Sequence, residues 1–312
     1  MLARDFIETA EGLVFAVVEN DLEQEKVLCF LRYFLINTQW QKVNTTQAND
    51  LLAEKYPHYL YYSPLKQAHC HAVDIDRVLA HHQPRTRLKN LLADKAKDNV
   101  EQDLQTLCHL FEKQGFNLDD MGVTGSILIS AHNQNSDIDL VFYSREDFQQ
   151  ARQITQTLIE QGDCFELSEN DWQQSYDRRS CELSYSEYLW HERRKFNKAV
   201  INQRKFDLSC VSETKPNSKP LHYKKLNPVV LSVQVINDSL AFDYPAVFLV
   251  KHPQIHAIVS YTATYTGQAL AGEWVEVAGL LEQASDGVKR IVVGSSREAH
   301  GEYIKVINEQ DN

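Results

Sequence analysis

Two apolar runs open the chain, Leu13–Val18 and Lys26–Tyr33, separated by the polar link Glu19–Glu25; the pattern predicts two strands joined by a loop. Thr45 and Thr46 precede Ala48, Leu51, Leu52 and Tyr56 at helical spacing, and Pro57 marks where that helix stops. Tyr59–Tyr62 and His71–Val73 read as short strands. Apolar residues at three- and four-residue intervals predict helices over Arg77–Ala96 and Val100–Gln114. From Asp120 the order becomes strand, Gly-Ser turn, polar loop at His132–Ser136, strand Ile138–Tyr143 and helix from Arg145 to Gln161. A polar stretch with scattered aromatics leads to a helix expected over Tyr185–Ile201 and a strand over Lys205–Val211.

The segment Glu213–Pro220, with Pro216 and Pro220 among Ser, Asn and Lys, has the composition of a linker. Beyond it, alternating segments recur around Val229–Val235, Ala246–Val250, Ala257–Tyr265, Glu273–Leu281, Lys289–Val293 and Tyr303–Ile307, punctuated by glycines. The expected architecture is α+β in three parts. Residues 1–95 form a small α/β domain, 96–215 a central mixed sheet with helices, and 221–312 a small antiparallel β-barrel, OB-like in its strand spacing.

Composition narrows the classes. The 312 residues are 43% hydrophobic and 24% charged, the range of folded domains rather than disordered chains. Lys and Arg number 32 against 43 Asp and Glu, a net charge of −11, which excludes a cationic belt over the whole surface but leaves room for a local basic patch. Such a patch exists in sequence: between Arg178 and Lys225 twelve Lys and Arg face five Asp and Glu. No uncharged apolar run approaches membrane length, and six scattered cysteines without a Cys-x-x-Cys pair suit reduced thiols, so a cytoplasmic protein is expected.

The chemistry-bearing segment is Gly125-Ser126, a ten-residue spacer, then Asp137-Ile138-Asp139 at the head of an apolar strand. Side chains two apart on a strand share a face, so Asp137 and Asp139 lie side by side while Ile138 enters the core. Carboxylates held that close repel unless a cation neutralises them, and hard oxygen ligands suit magnesium or manganese. Gly125 permits a tight turn, and Ser126, with Ser136 before the acids, offers hydroxyl and N–H donors to phosphate oxygens. Asp207, within the apolar strand Lys205-Phe206-Asp207-Leu208, is the candidate third acid; Asp177 and Asp243 are the fallbacks.

These residues resemble the DNA polymerase β-type nucleotidyltransferase superfamily over roughly residues 120–210. The strand Gly12-Leu13-Val14-Phe15-Ala16-Val17-Val18 also resembles the start of archaeal-type "predicted nucleotidyltransferase" proteins, which implies no substrate. The superfamily resemblance implies transfer of a nucleoside monophosphate from a nucleoside triphosphate, ATP before the others, to an acceptor hydroxyl with release of pyrophosphate. By residue it implies two Mg²⁺ or Mn²⁺ ions on Asp137, Asp139 and Asp207, Asp207 helping to deprotonate the acceptor, and Gly125 with Ser126 gripping the triphosphate. Many members carry Arg soon after the Gly-Ser; here Ile127, Leu128 and Ile129 follow, so phosphate charge must be met elsewhere. Arg193, Arg194, Lys195 and Lys198, on a predicted helix with Trp190 and Phe196, are the candidates to reach triphosphate or an acceptor backbone.

Other readings compete. His69, Cys70, His71, His81 and His82 cluster in sequence but lack the paired spacing of a zinc site, and read as surface or packing residues. The basic stretch is either a solvated helix face or a nucleic-acid contact. Tyr261, Tyr265 and Trp274, near Lys289, Arg290 and Arg297, either fill a barrel core or stack bases. The expected acceptor is RNA, tRNA-like; a protein hydroxyl, as in adenylylating members of the superfamily, is the alternative. A different class, a catalytically silent nucleotide-binding sensor or scaffold, stands beside both.

Overall fold

The computed structural model describes residues 1–64, 68–211, 223–295 and 299–307. The chain is mixed α/β, with three sheets among the described residues, and it divides into two compact units, residues 1–164 with 200–214 and residues 165–199 with 215–312. The boundary expected near residue 95 falls inside the first unit, and residues 165–199, expected with the central sheet, belong with the C-terminal strands. The Glu213–Pro220 linker and Arg297 lie outside the described residues. Among the described residues no helix is long and apolar enough to cross a membrane.

The first unit begins with a seven-stranded sheet: β1 (Phe6–Thr9), β2 (Leu13–Glu23), β3 (Lys26–Ile36), β4 (Gln39–Lys42), β5 (Leu60–Ser63), β6 (Ala68–Asp74) and β7 (Val78–His82). The order is β5-β6-β3-β2-β1-β7, with β4 on the outer end of β3. Two expectations change here. The polar link Glu19–Glu25 is mostly strand, because β2 and β3 run on to a two-residue turn at Gln24 and Glu25, whose φ of +52° and +60° match the twist of tight hairpins. Arg77–Ala96 is not one helix: β7 occupies its start, and the helix begins only at Pro84, whose fixed φ suits a first helical position.

Both faces of this sheet are covered, which is why its inner strands are continuously apolar rather than alternating. One face carries Phe15, Leu31 and Val73 against Ala48 and Leu52 of α1 (Thr45–Lys55) and Tyr59 of the turn that follows it. The other carries Phe6, Val14 and Tyr33 against Leu128 and Ile129.

Helices α2 (Pro84–Ala93) and α3 (Asn99–Lys113) lead into the second sheet. It contains β8 (Met121–Thr124), followed at once by the single turn α4 (Gly125–Leu128), then β9 (Ile138–Phe142) and helix α5 (Arg145–Gln161). After α6 (Glu169–Arg179) and α7 (Tyr185–Arg193) the chain returns through β10 (Lys198–Ile201) and β11 (Arg204–Cys210). The strand order is β10-β11-β9-β8, with β9 antiparallel to β8 and parallel to β11. The helix expected over Tyr185–Ile201 stops at Arg193: Phe196 takes a left-handed φ of +49°, and β-branched Val200 and Ile201 enter the strand. Phe111, Phe116, Phe142 and Phe148 pack ring to ring beneath the sheet.

The second unit holds β12 (Tyr223–Leu240), β13 (Ala246–Lys251), β14 (Ile255–Ser260), β15 (Trp274–Ala284), β16 (Lys289–Val293) and β17 (Tyr303–Ile307), with α6 and α7. Long β12 pairs with both β13 and β15, so the pairings β12-β13-β14-β16-β15 return to β12. Every pair in that circuit is antiparallel except β14 with β16.

Candidate functional site

The site builds from strand register. In the parallel pair β9–β11, Asp207 lies directly opposite Asp139, and on the other side of β9 Thr124 is its partner. Cross-strand partners point to one face, so the two carboxylates share it. Asp137, just before β9, alternates around buried Ile138 onto the same side. Gly125 follows Thr124 and sits against this cluster: a Cβ there would lie 2.1 Å from Asp139 Oδ2, and its φ is +67°. Only glycine meets both demands, close approach and a left-handed backbone.

The electrostatics follow. Asp139 is raised from the usual 3.8 to about 6, first by burial, then by the charge of Asp207; Asp137 adds to the rise, while Arg4 and Lys42 oppose it. Three acids therefore act on one another. Among the described residues no three His, Cys, Asp or Glu side chains form a ready metal-holding group. Asp137 and Asp207 are exposed, so both can rotate toward a common ion at little packing cost. The donor set, oxygen only and mutually repelling, fits a hard divalent cation.

The loop carrying Gly125 through Asp137 is pinned from three sides. Arg204 donates from Nη1 to the carbonyls of Gln134 (2.9 Å) and Ser136 (2.7 Å), and its Nε meets Asp103 Oδ2 at 2.8 Å. Arg87 donates from Nε to the Ile127 carbonyl at 3.0 Å and from Nη2 to Ser130 Oγ at 2.9 Å. His132 Nε2 lies 3.0 Å from Oδ2 of Asp98, the residue that caps α3. Sequence reasoning missed Arg204, Asp103 and Arg87. The available signal was Asp103, an acid on the apolar face of α3, which implies a buried basic partner.

The other expected residues are placed as follows. Ser136 Oγ accepts from the Asn133 N–H at 3.0 Å, so its hydroxyl closes the turn before Asp137. Asp177 accepts from Gln173 within α6, and Asp243 follows β12; both belong to the second unit and not to the sheet of Asp137, Asp139 and Asp207. Each of the four basic candidates meets a carboxylate in the second unit. Arg193 pairs with Glu169 (2.7 Å) and Arg194 grips both oxygens of Glu273 (2.6 and 2.5 Å). Lys195 is buried on Glu192 (2.5 Å) and the Thr264 carbonyl (3.1 Å), and Lys198 also bonds Glu192. These ion pairs hold α7 and the segment after it inside the second unit.

The His and Cys cluster is likewise structural. His71 Nδ1 accepts from the Leu31 N–H at 3.1 Å, its Nε2 meets Asn49 Oδ1 at 2.8 Å, and burial pushes it down to about 4. His81 pairs with Asp5 and His82 with Glu8, His69 packs edge-on against Tyr62, and the six cysteines are thiols rather than disulfides. In the second unit Tyr265 is buried, Trp274 half-buried and Tyr261 37% exposed. Arg290 lies over the Tyr223 ring and donates to Glu282, while Lys289 meets Gln254.

No family model matches the chain, and no solved structure matches it. A curated relative does: the "Uncharacterized protein MJ1086" of Methanocaldococcus jannaschii is 33% identical over 335 aligned positions that cover 97% of this chain and 98% of the relative. Identity of that extent over both full lengths shows common descent, and the chain belongs to the same family as that Methanocaldococcus protein.

Proposed function

We propose that this protein is a metal-dependent nucleotidyltransferase that moves a nucleoside monophosphate from a nucleoside triphosphate, ATP before the others, to an acceptor hydroxyl. The observation that carries the reading is the register of Asp207 against Asp139, with Asp137 beside them and Gly125 at a distance no other residue tolerates. Two acids heading one strand and a third on a later strand are what the resemblance to the polymerase β-type superfamily implies. Asp137, Asp139 and Asp207 would hold Mg²⁺ or Mn²⁺, which supplies charge neutralisation for the attacking and leaving oxygens of an in-line displacement.

The chain's own groups do the rest. Gly125 lies against Asp139, and the Gly125–Ser126 backbone with the Ser126 hydroxyl would orient the triphosphate. Asp207, exposed, accepts the proton of the incoming hydroxyl on a carboxylate oxygen. A new bond forms between the acceptor oxygen and the α-phosphorus, the bond to the bridging oxygen of the β-phosphate breaks, and pyrophosphate leaves. The acceptor we propose is RNA, tRNA-like. The circuit of five paired strands in the second unit supports it, since that pairing suits an OB-like barrel, a fold that presents a face to single strands.

The test is incubation with each α-labelled triphosphate, Mg²⁺ or Mn²⁺, and total RNA or cell lysate, beside the Asp137→Ala/Asp139→Ala protein. Label on RNA that the variant loses is the expected result. Label on polypeptide makes the protein an adenylyltransferase of proteins, and label nowhere makes it a silent nucleotide-binding sensor or scaffold.

A further inference from the structure

The segment after the Gly-Ser turn lacks the basic residue many nucleotidyltransferases place there, and the packing explains why. Leu128 and Ile129 are buried against Phe6, Val14 and Tyr33 of the N-terminal sheet, with Trp40 and Ala131 completing the contact. A cation at these positions would be driven into an apolar interface. The same interface brings the N-terminal sheet up to the carboxylates. Thr124, one residue before Gly125 and opposite Asp139, donates its hydroxyl to the Arg4 carbonyl at 2.8 Å.

Two cations of that sheet are consequently aimed at the site. Lys42 is directly opposite Tyr33 in the β3–β4 pair and two residues from Trp40, so by both the cross-strand and the alternation rule it shares the face that covers Leu128 and Ile129. Arg4 is held at the rim in a left-handed backbone, φ +76°, by its N–H bond to the Val17 carbonyl at 3.0 Å and by Thr124. A non-glycine residue kept in that conformation next to a reaction site is strain that the surrounding contacts impose. Both side chains are exposed, and both act on the charge of Asp139. Among the described residues neither is drawn into an ion pair like those that occupy Arg193, Arg194, Lys195 and Lys198.

We infer that the N-terminal sheet completes the nucleotide site, with Arg4 and Lys42 binding the polyphosphate of the incoming nucleoside triphosphate in place of the basic residue absent after the Gly-Ser turn. The inference rests on the nucleotidyltransferase reading and deepens it: the sheet is part of the active centre rather than a separate appendage. Arg4 supplies a planar fork for two phosphate oxygens and Lys42 a point charge. Neither touches the reacting atoms, so their contribution is to affinity and placement of the leaving pyrophosphate.

The experiment is calorimetric binding of Mg²⁺-ATP and of the other triphosphates, with inorganic tripolyphosphate and AMP as competitors. It compares the unaltered protein with Lys42→Gln, Arg4→Gln, Arg4→Gly and the double variant Arg4→Gln/Lys42→Gln. Arg4→Gly relaxes the left-handed backbone, so it keeps the fold while removing the cation. We expect each single variant to weaken triphosphate and tripolyphosphate binding tenfold or more, to leave AMP binding within twofold, and Lys42→Arg to restore most of the affinity. Triphosphate binding equal to the unaltered protein in the folded double variant overturns this inference alone. No binding of any triphosphate by the unaltered protein overturns the nucleotidyltransferase reading and this inference with it.

Discussion

Replacing Asp139 with asparagine should make the protein more stable and abolish transfer. Burial and the Asp207 charge hold Asp139 at about 6 in the folded chain against 3.8 as the ordinary value. Between those values the folded state holds the Asp139 proton more tightly than the unfolded one, so the Asp139 contribution to stability rises as pH falls from about 6 toward 4, and at neutral pH its full penalty stands. Two pH units at ~1.4 kcal/mol each give about 3 kcal/mol, and residual solvent contact lowers that to about 2 kcal/mol. The amide of the Asp139→Asn variant carries no charge and escapes the penalty. In a unit of this size that corresponds to a rise in Tm of roughly 4–8 °C at pH 7.5, shrinking to about a third of that by pH 4.5. Thermal and urea unfolding of both proteins across pH 4.5–8, with and without Mg²⁺, reads it. Mg²⁺ should raise the Tm of the unaltered protein and leave that of Asp139→Asn nearly unmoved. A variant that is less stable than the unaltered protein at pH 7.5, or a difference that does not change with pH, refutes the reasoning.

Three further outcomes follow from the same geometry. Gly125→Ala should lower transfer by at least 100-fold and cost about 1–3 kcal/mol, since the Cβ must displace the Asp139 carboxylate and occupy a left-handed φ; unchanged kcat would contradict it. Arg204→Ala should cost about 3 kcal/mol by leaving buried Asp103 without its guanidinium, and should raise the Mg²⁺ requirement by loosening the turn before Asp137; an unaltered urea midpoint would show that the clamp is dispensable. His71 and His191 each accept a backbone N–H, from Leu31 and from Val306, and each is pushed down to about 4 by burial, so the folded state resists protonation. The second unit should therefore lose stability as pH falls from about 6.5 toward 4 and His191→Phe should flatten that loss, while in the first unit the His71 contribution opposes that of Asp139 and is read as the pH-dependent difference between the unaltered protein and His71→Phe; a difference that does not change with pH would contradict it.

The site's local parts were legible because they rest on short-range rules. Alternation puts Asp137 and Asp139 on one face, a glycine before Ser126 predicts a strained turn, and an apolar strand around Asp207 predicts a neighbour for β9. What was not legible depends on distance along the chain. Arg204 meets Asp103 across 101 residues, and Lys42 shares a face with the Gly-Ser packing only because β4 folds back on β3. Nothing in the composition of residues 1–95 says that their sheet covers Leu128 and Ile129. Tight turns at Gln24–Glu25 and Asn37–Thr38 have no glycine, so the strands they join ran longer than turn chemistry predicts. In the basic run after Arg178, Arg194 meets Glu273 and Lys195 and Lys198 meet Glu192, partners that charge counts along the chain do not reveal.

The most direct test of the central claim is the release of pyrophosphate from a nucleoside triphosphate in the presence of acceptor, followed as Mg²⁺ is titrated, for the unaltered protein and for Asp137→Ala, Asp139→Ala and Asp207→Asn. The account predicts Mg²⁺-dependent pyrophosphate release that falls to background in all three variants, with Asp207→Asn still binding triphosphate. Release that persists in any of the three, or orthophosphate as the product in place of pyrophosphate, would contradict it.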